Sequence, residues 1–525
     1  MKRRVVSLAS LASLSLACTN PDSVPSDAAV ADAPEVTPTD RGPAVVAQPD
    51  EHPPCDRRNP LREPYFGDLH VHTQLSFDAI AYDIRSGPDE AYAFARGESI
   101  GLPPYDAAGT PSRRVRLARP LDFAAVTDHS EYLAETALCH DPSSPAYASR
   151  TCVTYRNAEG VITPLSLGLA GFYNNARPPV CSGIPAEACP NTFDRIWQGV
   201  QDAAERAYDR TSACRFTSFV GYEWSGSPGG SNAHRNVIFR NRTVPRSPAS
   251  FFEATTAERL WAWIQSVCLD SGTGCDALAI PHNGNLGAGR MFVPVNDSGA
   301  MYTREESTRR ARIEPVAEIY QHKGASECLR GRGDPLASED ERCDFEALTP
   351  PLCAGTPDDP PGCTPVCTAS ASATFTGTCS HPRDFLRGAL RTGLREWQRT
   401  GADPFHLGVI ASTDTHSATA GATDESTWEG HTGLADGTPE RRLHAPPRGT
   451  PTVSTVTSSP GGLAVVWAEE NSRPALFDAL RRRETYGTSG TRILVRFFGG
   501  WSYPDALCAD PELVRVGYRD GVALG

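Results

Sequence analysis

Residues 65–73 read Tyr65-Phe66-Gly67-Asp68-Leu69-His70-Val71-His72-Thr73, an apolar strand pattern that contains two histidines. In an extended strand, side chains two positions apart lie on one face, so His70 and His72 can bind one metal ion. Most isolated pairs of this kind are incidental. The pair gains weight only if other metal-binding side chains occupy equivalent positions elsewhere in the chain.

Four later segments show the same arrangement, an apolar run that ends in polar side chains. They are Phe123–Val126 before Asp128 and His129, Phe219–Tyr222 before Glu223, Ala277–Ile280 before His282, and Gly408–Ala411 before Asp414 and His416. His234 follows a glycine-rich loop at 226–230. Strands that carry such residues at their carboxyl ends are typical of a β/α barrel, which gathers those ends at one face. Helices are predicted at 195–206, 257–267, 385–399 and 474–483, and a further strand at 492–498.

The chain has sixteen cysteines and no Cys-x-x-Cys pair, which is unusual for a cytosolic protein. Disulfides formed in an oxidising compartment explain them better than a zinc knuckle, the alternative. Segments 140–214 and 328–379 are cysteine-rich and are predicted to be disulfide-pinned insertions. If Cys18 is lipidated, fifteen cysteines remain, so one thiol is expected to be free or intermolecular.

The first 54 residues have the character of an export signal and a tether. Basic residues at 2–4 precede an apolar stretch, Val5 to Ala17, that is too short to span a bilayer, so residues 1–18 are predicted to be a signal peptide. The string ending at Cys18 resembles a lipoprotein signal; a plain secreted protein is the alternative. Residues 19–54 contain no aromatic side chain and are predicted to be a disordered stalk. We therefore expect a periplasmic or cell-surface protein.

Composition restricts the partners of this 525-residue chain. Fifty Lys and Arg against 63 Asp and Glu leave a net charge of -13, which offers no basic surface for nucleic acid or anionic lipid. The mean hydropathy of -0.37 argues against a polytopic membrane protein. Membrane contact is expected only through the anchor at Cys18.

The ordered motifs resemble the PHP superfamily, named for polymerase and histidinol phosphatase domains. The series is His70-x-His72, Asp128-His129, Glu223, His234, Pro281-His282 and Asp414-x-His416. Strings at 65–73, 232–236 and 318–324 further resemble a large bacterial family of unknown function that is often exported. The resemblance covers roughly residues 65–492. It implies an α/β fold, a distorted (β/α)7 barrel over residues 55–500 that carries the two insertions, with a C-terminal extension at 501–525.

The resemblance also implies a centre of two or three divalent ions, Zn, Mn or Fe. His70, His72, Glu223 and Asp414 would hold the first ion, and Glu223 would bridge to a second ion held by His234 and His282. His129 and His416 would hold a third. At the remaining third-site position, where the superfamily often has histidine, this chain has Asp78, which leaves the occupancy and metal preference of that site open.

Two such ions can hold a hydroxide between them and clamp both oxygens of an in-line displacement. The expected activity is therefore hydrolysis of phosphate esters by attack on phosphorus, and the expected partner is a small anionic ester. Sulfate or phosphonate ester hydrolysis on the same site is one alternative, and a non-catalytic, metal-stabilised cell-surface binding protein is another. Candidate substrate contacts are Arg235, Arg290 and Asn283, and candidate catalytic residues are Arg235, Lys323 and the proton donor His322.

Overall fold

The computed structural model describes residues 52–157, 176–332, 334–356, 359, 363–367, 379–443, 458–504 and 506–523. The predicted signal peptide, its lipidation site at Cys18 and most of the predicted stalk lie outside these ranges. Within them, no helix is both long and apolar enough to cross a membrane.

The secondary structure alternates strands with helices over most of the described chain. The strands are β1 (Glu63–Asp68), β2 (Ile100–Tyr105), β3 (Pro111–Val115), β4 (Phe123–Val126), β5 (Thr217–Trp224), β6 (Arg235–Phe239), β7 (Ala277–Pro281), β8 (Val316–Gln321), β9 (Gly324–Ala325), β10 (Gly408–Ala411), β11 (Leu463–Ala468), β12 (Thr485–Thr488), β13 (Phe498–Gly499) and β14 (Val522–Ala523). The α-helices are α1 (Phe77–Ala81), α2 (Pro88–Ala95), α3 (Leu133–His140), α4 (Arg150–Asn157), α5 (Ala188–Ala207), α6 (Ala257–Ile264), α7 (Arg304–Ile313), α8 (Leu386–Thr400), α9 (Pro439–Leu443), α10 (Arg473–Arg482) and α11 (Leu513–Asp520).

The central sheet has seven strands in the order β12-β11-β1-β4-β5-β6-β7. β1, β4 and β5 are parallel, whereas β11 and β12 at one edge and β6 and β7 at the other are antiparallel to their neighbours. β4, β5 and β7 are buried along their whole length. Uninterrupted apolar runs of this kind form strands that are covered on both faces.

A second sheet, β10-β8-β9, lies against the first. β8 is next to β7, and β10 is next to β12, so the second sheet contacts both edges of the central one. Side chains of both sheets share one buried apolar cluster, with Phe123, Phe219, Leu278, Val316 and Ile410 among its members. In the described residues the hydrogen-bonded ladders stop between the two sheets, so the closed (β/α) barrel stays a prediction.

α5 corrects the boundary predicted for the first insertion. The helix lies within segment 140–214, yet it packs against α2, α3 and β5 of the main body. Its buried face repeats every three or four residues through Trp197, Val200, Ala203 and Ala207, the spacing of a helix that covers a core. This helix therefore belongs to the main body and not to the predicted insertion.

The described residues contain seven disulfides. They join Cys55 to Cys214, Cys139 to Cys152, Cys181 to Cys189, Cys268 to Cys275, Cys328 to Cys343, Cys353 to Cys363, and Cys367 to Cys379. Cys508 is the remaining described cysteine, and its thiol is free and exposed. Disulfides and one free thiol are thus confirmed, and a zinc knuckle is wrong for the paired cysteines. Cys214 is bonded to Cys55, which lies just before β1, so this disulfide does not pin an insertion.

The strand predicted at 492–498 is wrong except for its last residue. β12 occupies the edge of β11 with which a further strand could have paired. Residues 491–497 instead follow an irregular path, which side-chain contacts hold in place. Arg496 lies over the ring of Trp467 at 3.8 Å, and the Tyr486 hydroxyl donates to the Ile493 carbonyl at 2.7 Å. Beyond them, β13 and β14 form a small separate sheet.

Candidate metal centre

Two isolated backbone bridges align the motif-bearing strand ends. Val71 pairs in parallel with Thr415, and His129 pairs in parallel with Glu223. The first bridge places the pair of histidines of residues 65–73 beside the Asp-x-His motif. The second places the histidine that follows β4 beside the glutamate of β5.

Glu223 lies at the middle of the resulting cluster and is 1% exposed. Its Oε2 lies 3.0 Å from His129 Nδ1, 3.3 Å from His72 Nε2 and 3.6 Å from His70 Nε2. Its Oε1 lies 3.0 Å from His234 Nδ1 and 3.7 Å from His282 Nε2. Each carboxylate oxygen therefore faces its own group of imidazoles, which is the arrangement of a bridging ligand.

Two further carboxylates complete the cluster. Asp414 Oδ1 lies 3.1 Å from the Nε2 atoms of both His70 and His72. Asp78 Oδ2 lies 3.2 Å from His129 Nε2 and 2.9 Å from His416 Nε2. All nine metal ligands expected from the sequence are thus buried and close together, and the sets His70, His72, Glu223 and His72, Asp78, His129, His416 each have donor atoms within 4.8 Å of one another.

Hydrogen bonds on the outer side of the rings determine which nitrogen carries the proton. His70 Nδ1 donates to Glu318 Oε2 at 2.9 Å, and His416 Nδ1 donates to the Asp414 carbonyl at 2.9 Å. His72 Nδ1 lies 2.8 Å from the Ser76 hydroxyl, which itself donates to Asp128 and so must accept from the ring. In each case the Nε2 lone pair faces inward, as in histidines whose outer N–H is held while the other nitrogen binds metal.

His129 and His234 follow the same logic. Ser225 donates its hydroxyl to Glu131 at 2.5 Å and lies 2.6 Å from His129 Nδ1, so it accepts from that ring and leaves Nε2 to face Asp78. Ser227 donates to the Ser225 carbonyl and accepts from His234 Nε2 at 3.1 Å. The Nδ1 lone pair of His234 then faces Glu223.

Nitrogen lone pairs that face carboxylate oxygens repel unless a cation lies between them. Burial, with His416 and His129 as further causes, lowers the pKa of His72 to about 3, so this ring is neutral while it faces Asp414. Burial would raise the pKa of Glu223, but the surrounding histidines hold it well below its ordinary value, and the carboxylate stays ionised. The residues present therefore fit divalent ions, whose ligands lie about 2.0–2.2 Å from the metal and hence about 3–3.6 Å from one another.

The first histidine of the centre differs from its neighbour in the direction in which its surroundings shift its pKa. Burial alone would lower the pKa of His70, but Asp414, Glu318 and Glu223 together raise it well above its ordinary value. His70 Nε2 and Glu223 Oε2 nonetheless lack a hydrogen-bond partner, although they are 3.6 Å apart. Their orientation thus suits two ligands of one ion better than a donor and an acceptor.

Asp414 has an unusual backbone conformation, with φ of 53° in the left-handed region. A non-glycine residue there costs on the order of 1 kcal/mol or more and persists only where the surroundings enforce it. The neighbouring backbone supplies that constraint, because the N–H groups of His72 and His322 donate to the carbonyls of Thr415 and Thr413. The strain turns the carboxylate of Asp414 into the cluster.

Two buried carboxylates support the centre in roles that were not predicted from the sequence. Asp128 accepts from the Thr73 N–H, the Thr73 hydroxyl and the Ser76 hydroxyl at 2.6 to 2.7 Å. Glu318 binds His70 through one oxygen and accepts the Asn283 N–H at 3.0 Å through the other. For Glu318 the sequence did contain a signal, because this carboxylate lies inside an apolar strand. A carboxylate that is buried must have a partner.

Arg235 does not reach the cluster, in contrast to its predicted role. It is 1% exposed, and its guanidinium pairs with Glu314 at 2.9 Å and donates to the Met291 carbonyl at 3.1 Å. Arg310 pairs with the other oxygen of Glu314 at 3.0 Å. Arg235 is therefore part of a buried ion network behind the centre.

The other predicted substrate and catalytic residues fall into two groups. Asn283 is buried, and its side-chain amide donates to the Gly324 carbonyl, so it braces a turn. Arg290 lies near Gly229 and lines, with Arg235, a cavity of about 190 Å³. Lys323 contacts Asp414 Oδ2 through its ammonium, and His322 Nε2 lies 3.7 Å from the same oxygen. The structure thus brings only the last two to the cluster.

Comparison with known protein families places the chain in one of them. Residues 59–525 match the family model described as a protein of unknown function, DUF3604, and the chain belongs to that family. Searches among curated proteins and among solved structures find no match.

Proposed function

We propose that this protein is an exported, metal-dependent hydrolase of phosphate esters, built on a PHP-like (β/α) barrel with two or three divalent ions. One observation carries the proposal: hydrogen bonds fix the tautomers of five buried histidines so that their remaining nitrogens face carboxylate oxygens. The five are His70, His72, His129, His234 and His416. Such a mixed imidazole and carboxylate set suits a catalytic centre better than a closed structural zinc site, which is typically rich in thiolate.

The proposed division of ligands follows the geometry of Glu223. Its Oε2 and Asp414 Oδ1 lie with His70 and His72 around one position, and its Oε1 lies with His234 and His282 around a second. A third position lies between Asp78, His129 and His416. Zn, Mn and Fe all accept such ligands. Ions bound there would supply an activated water at neutral pH and neutralise charge on the ester.

The protein's own side chains would orient the substrate. Lys323 is the proposed contact for the ester oxyanion, because its ammonium lies at the edge of the cluster and its side chain is 14% exposed. His322 lies beside it, at the position where the sequence suggests a proton donor. Arg235 is no longer a candidate for either role, because Glu314 and backbone carbonyls occupy its guanidinium.

Two alternatives use the same residues. Sulfate and phosphonate esters present the same tetrahedral oxyanion to the centre, so hydrolysis of either is the closest rival. A non-catalytic surface protein stabilised by metal is the second. The three disulfides between Cys328 and Cys379 favour it, because they would stiffen a surface that binds a partner. The seven disulfides are typical of an exported protein, and a lipid anchor at Cys18 remains part of the proposal.

A hydrolysis panel tests the proposal. The mature protein, loaded separately with Mn²⁺ and Zn²⁺, is assayed on aryl phosphate mono- and diesters, aryl phosphonates and aryl sulfates. We expect the highest kcat/KM on a phosphate ester and a loss of at least about 10³-fold in Glu223→Gln, a change that keeps the size of the side chain. A higher rate on sulfate or phosphonate esters would transfer the assignment to that class, and no turnover on any ester would favour the binding protein.

A further inference from the structure

His322 is a buried histidine beside the metal centre whose two ring nitrogens both lack a hydrogen-bond partner. The residue is 2% exposed. Its position is fixed, because its backbone N–H donates to Thr413 and its carbonyl accepts from Ser459. Buried polar atoms without partners are rare because they are costly, so this ring needs a ligand.

A carboxylate oxygen of Asp414 lies close to this ring. His322 Nε2 lies 3.7 Å from Asp414 Oδ2, a separation that two ligands about 2.1 Å from one ion adopt. The other oxygen, Oδ1, faces His70 and His72, so the carboxylate presents one oxygen to each side. The ligand atoms of His322, Asp414 and His416 lie within 4.8 Å of one another.

A positive charge already lies at the second oxygen of this carboxylate. Lys323 Nζ contacts Asp414 Oδ2, and the Gln321 amide donates to it at 2.7 Å. An ammonium and a divalent ion on the same oxygen repel each other strongly at a separation of about 4 Å. The Lys323 side chain is partly exposed, so the ammonium has a path to solvent when an ion arrives.

We propose that His322, Asp414 and His416 form a further divalent-cation site, at which the metal ion and the ammonium of Lys323 compete for Asp414 Oδ2. The inference rests on the metal-binding part of the proposed function. His416 also belongs to the set around Asp78, and its single inward lone pair can bind only one ion, so His322 and Asp414 Oδ2 are the ligands that this site does not share with that set. His322 is therefore a metal ligand in this assignment and not a proton donor. Because occupation of the site displaces Lys323 from the substrate's position, excess divalent ion inhibits hydrolysis.

The experiment is a Zn²⁺ titration of the metal-depleted full-length mature protein by equilibrium dialysis, with bound zinc counted by mass spectrometry. His322→Gln removes the ligand, and Lys323→Met removes the competing charge while keeping an unbranched side chain that is shorter only by the ammonium group. His140→Gln is the control, since this part-buried ring bonds the Thr136 carbonyl and belongs to a different part of the fold. Thermal unfolding of each variant verifies that it is folded.

We expect His322→Gln to bind one zinc ion fewer than the wild type and the control. Lys323→Met should bind that ion about tenfold more tightly or better, because the repulsive charge is gone. Equal counts and affinities in the wild type, His322→Gln and Lys323→Met would overturn this inference and leave the proposed function intact. A wild-type protein that binds no zinc would overturn both.

Discussion

At the scale of single residues, a buried polar atom has to be matched to a partner, and the sequence alone does not show which one. Histidines and carboxylates at strand ends could be predicted because each ended an apolar run. Their orientation could not, because it depends on hydroxyls such as Ser76 and Ser225 that look like ordinary loop residues. Asp128 appeared as part of a motif, and only the structure shows that it holds Thr73 and Ser76.

Arg235 shows that a residue next to an expected metal ligand in sequence need not reach the site. It follows His234 directly, and a basic residue there was expected to meet an anionic substrate. In β6, however, successive side chains point to opposite faces, so the neighbour of a ligand faces away from the site. Its position opposite Pro281 in the ladder and its pairing with Glu314 place it behind the centre.

Arg235→Ala should destabilise the protein by about 3–5 kcal/mol, because Glu314 would lose one of its two buried cationic partners. Chemical denaturation of the metal-depleted protein measures this change. Arg240→Ala, just beyond the other end of β6, is the control. The pair of Arg240 with Asp478 is partly exposed, so we expect its loss to lower the free energy of unfolding by less than about 1 kcal/mol. A normal stability combined with weaker substrate binding would instead restore the substrate-contact role.

At the scale of elements, the short strands and their order bring distant motifs together. The sequence predicted β4, β5, β7 and β10 within a few residues, because each is an uninterrupted apolar run. It could not predict how the strands pair: β6 runs antiparallel to β5, β7 runs antiparallel to β6, and β11 joins from near the end of the chain to pair with β1. The irregular stretch at 491–497 was mistaken for a strand because it contains β-branched and aromatic residues, but the side chains of Ile493, Leu494, Val495 and Phe497 are exposed in the structure.

The disulfide between Cys55 and Cys214 links the chain before β1 to the chain before β5, which carries Glu223. The double change Cys55→Ser, Cys214→Ser should lower the free energy of unfolding by about 4–5 kcal/mol, because the bridge closes a loop of 159 residues in the unfolded chain. The matched double change Cys353→Ser, Cys363→Ser removes a bridge between cysteines 10 residues apart in sequence. It should lower the free energy of unfolding by about 2–3 kcal/mol. Urea unfolding of both variants measures the difference; equal losses would mean that the long bridge adds no constraint.

At the scale of the whole molecule, the acidic chain and its proposed substrate have the same sign of charge. The net charge of -13 offers an anionic ester no general attraction. Attraction has to arise locally, from metal ions held among buried carboxylates and from Lys323 at their edge. Both the hydrolase proposal and the further cation site therefore depend on the same property, the occupation of this cluster by divalent ions.

The most direct measurement is the metal content of the purified mature protein, determined by mass spectrometry after dialysis against metal-free buffer. We predict at least two transition-metal ions per chain, and the loss of most of this metal in Glu223→Ala, because that carboxylate faces both groups of imidazoles. Fewer than one ion per wild-type chain, or an unchanged count in Glu223→Ala, would contradict the bridged metal centre.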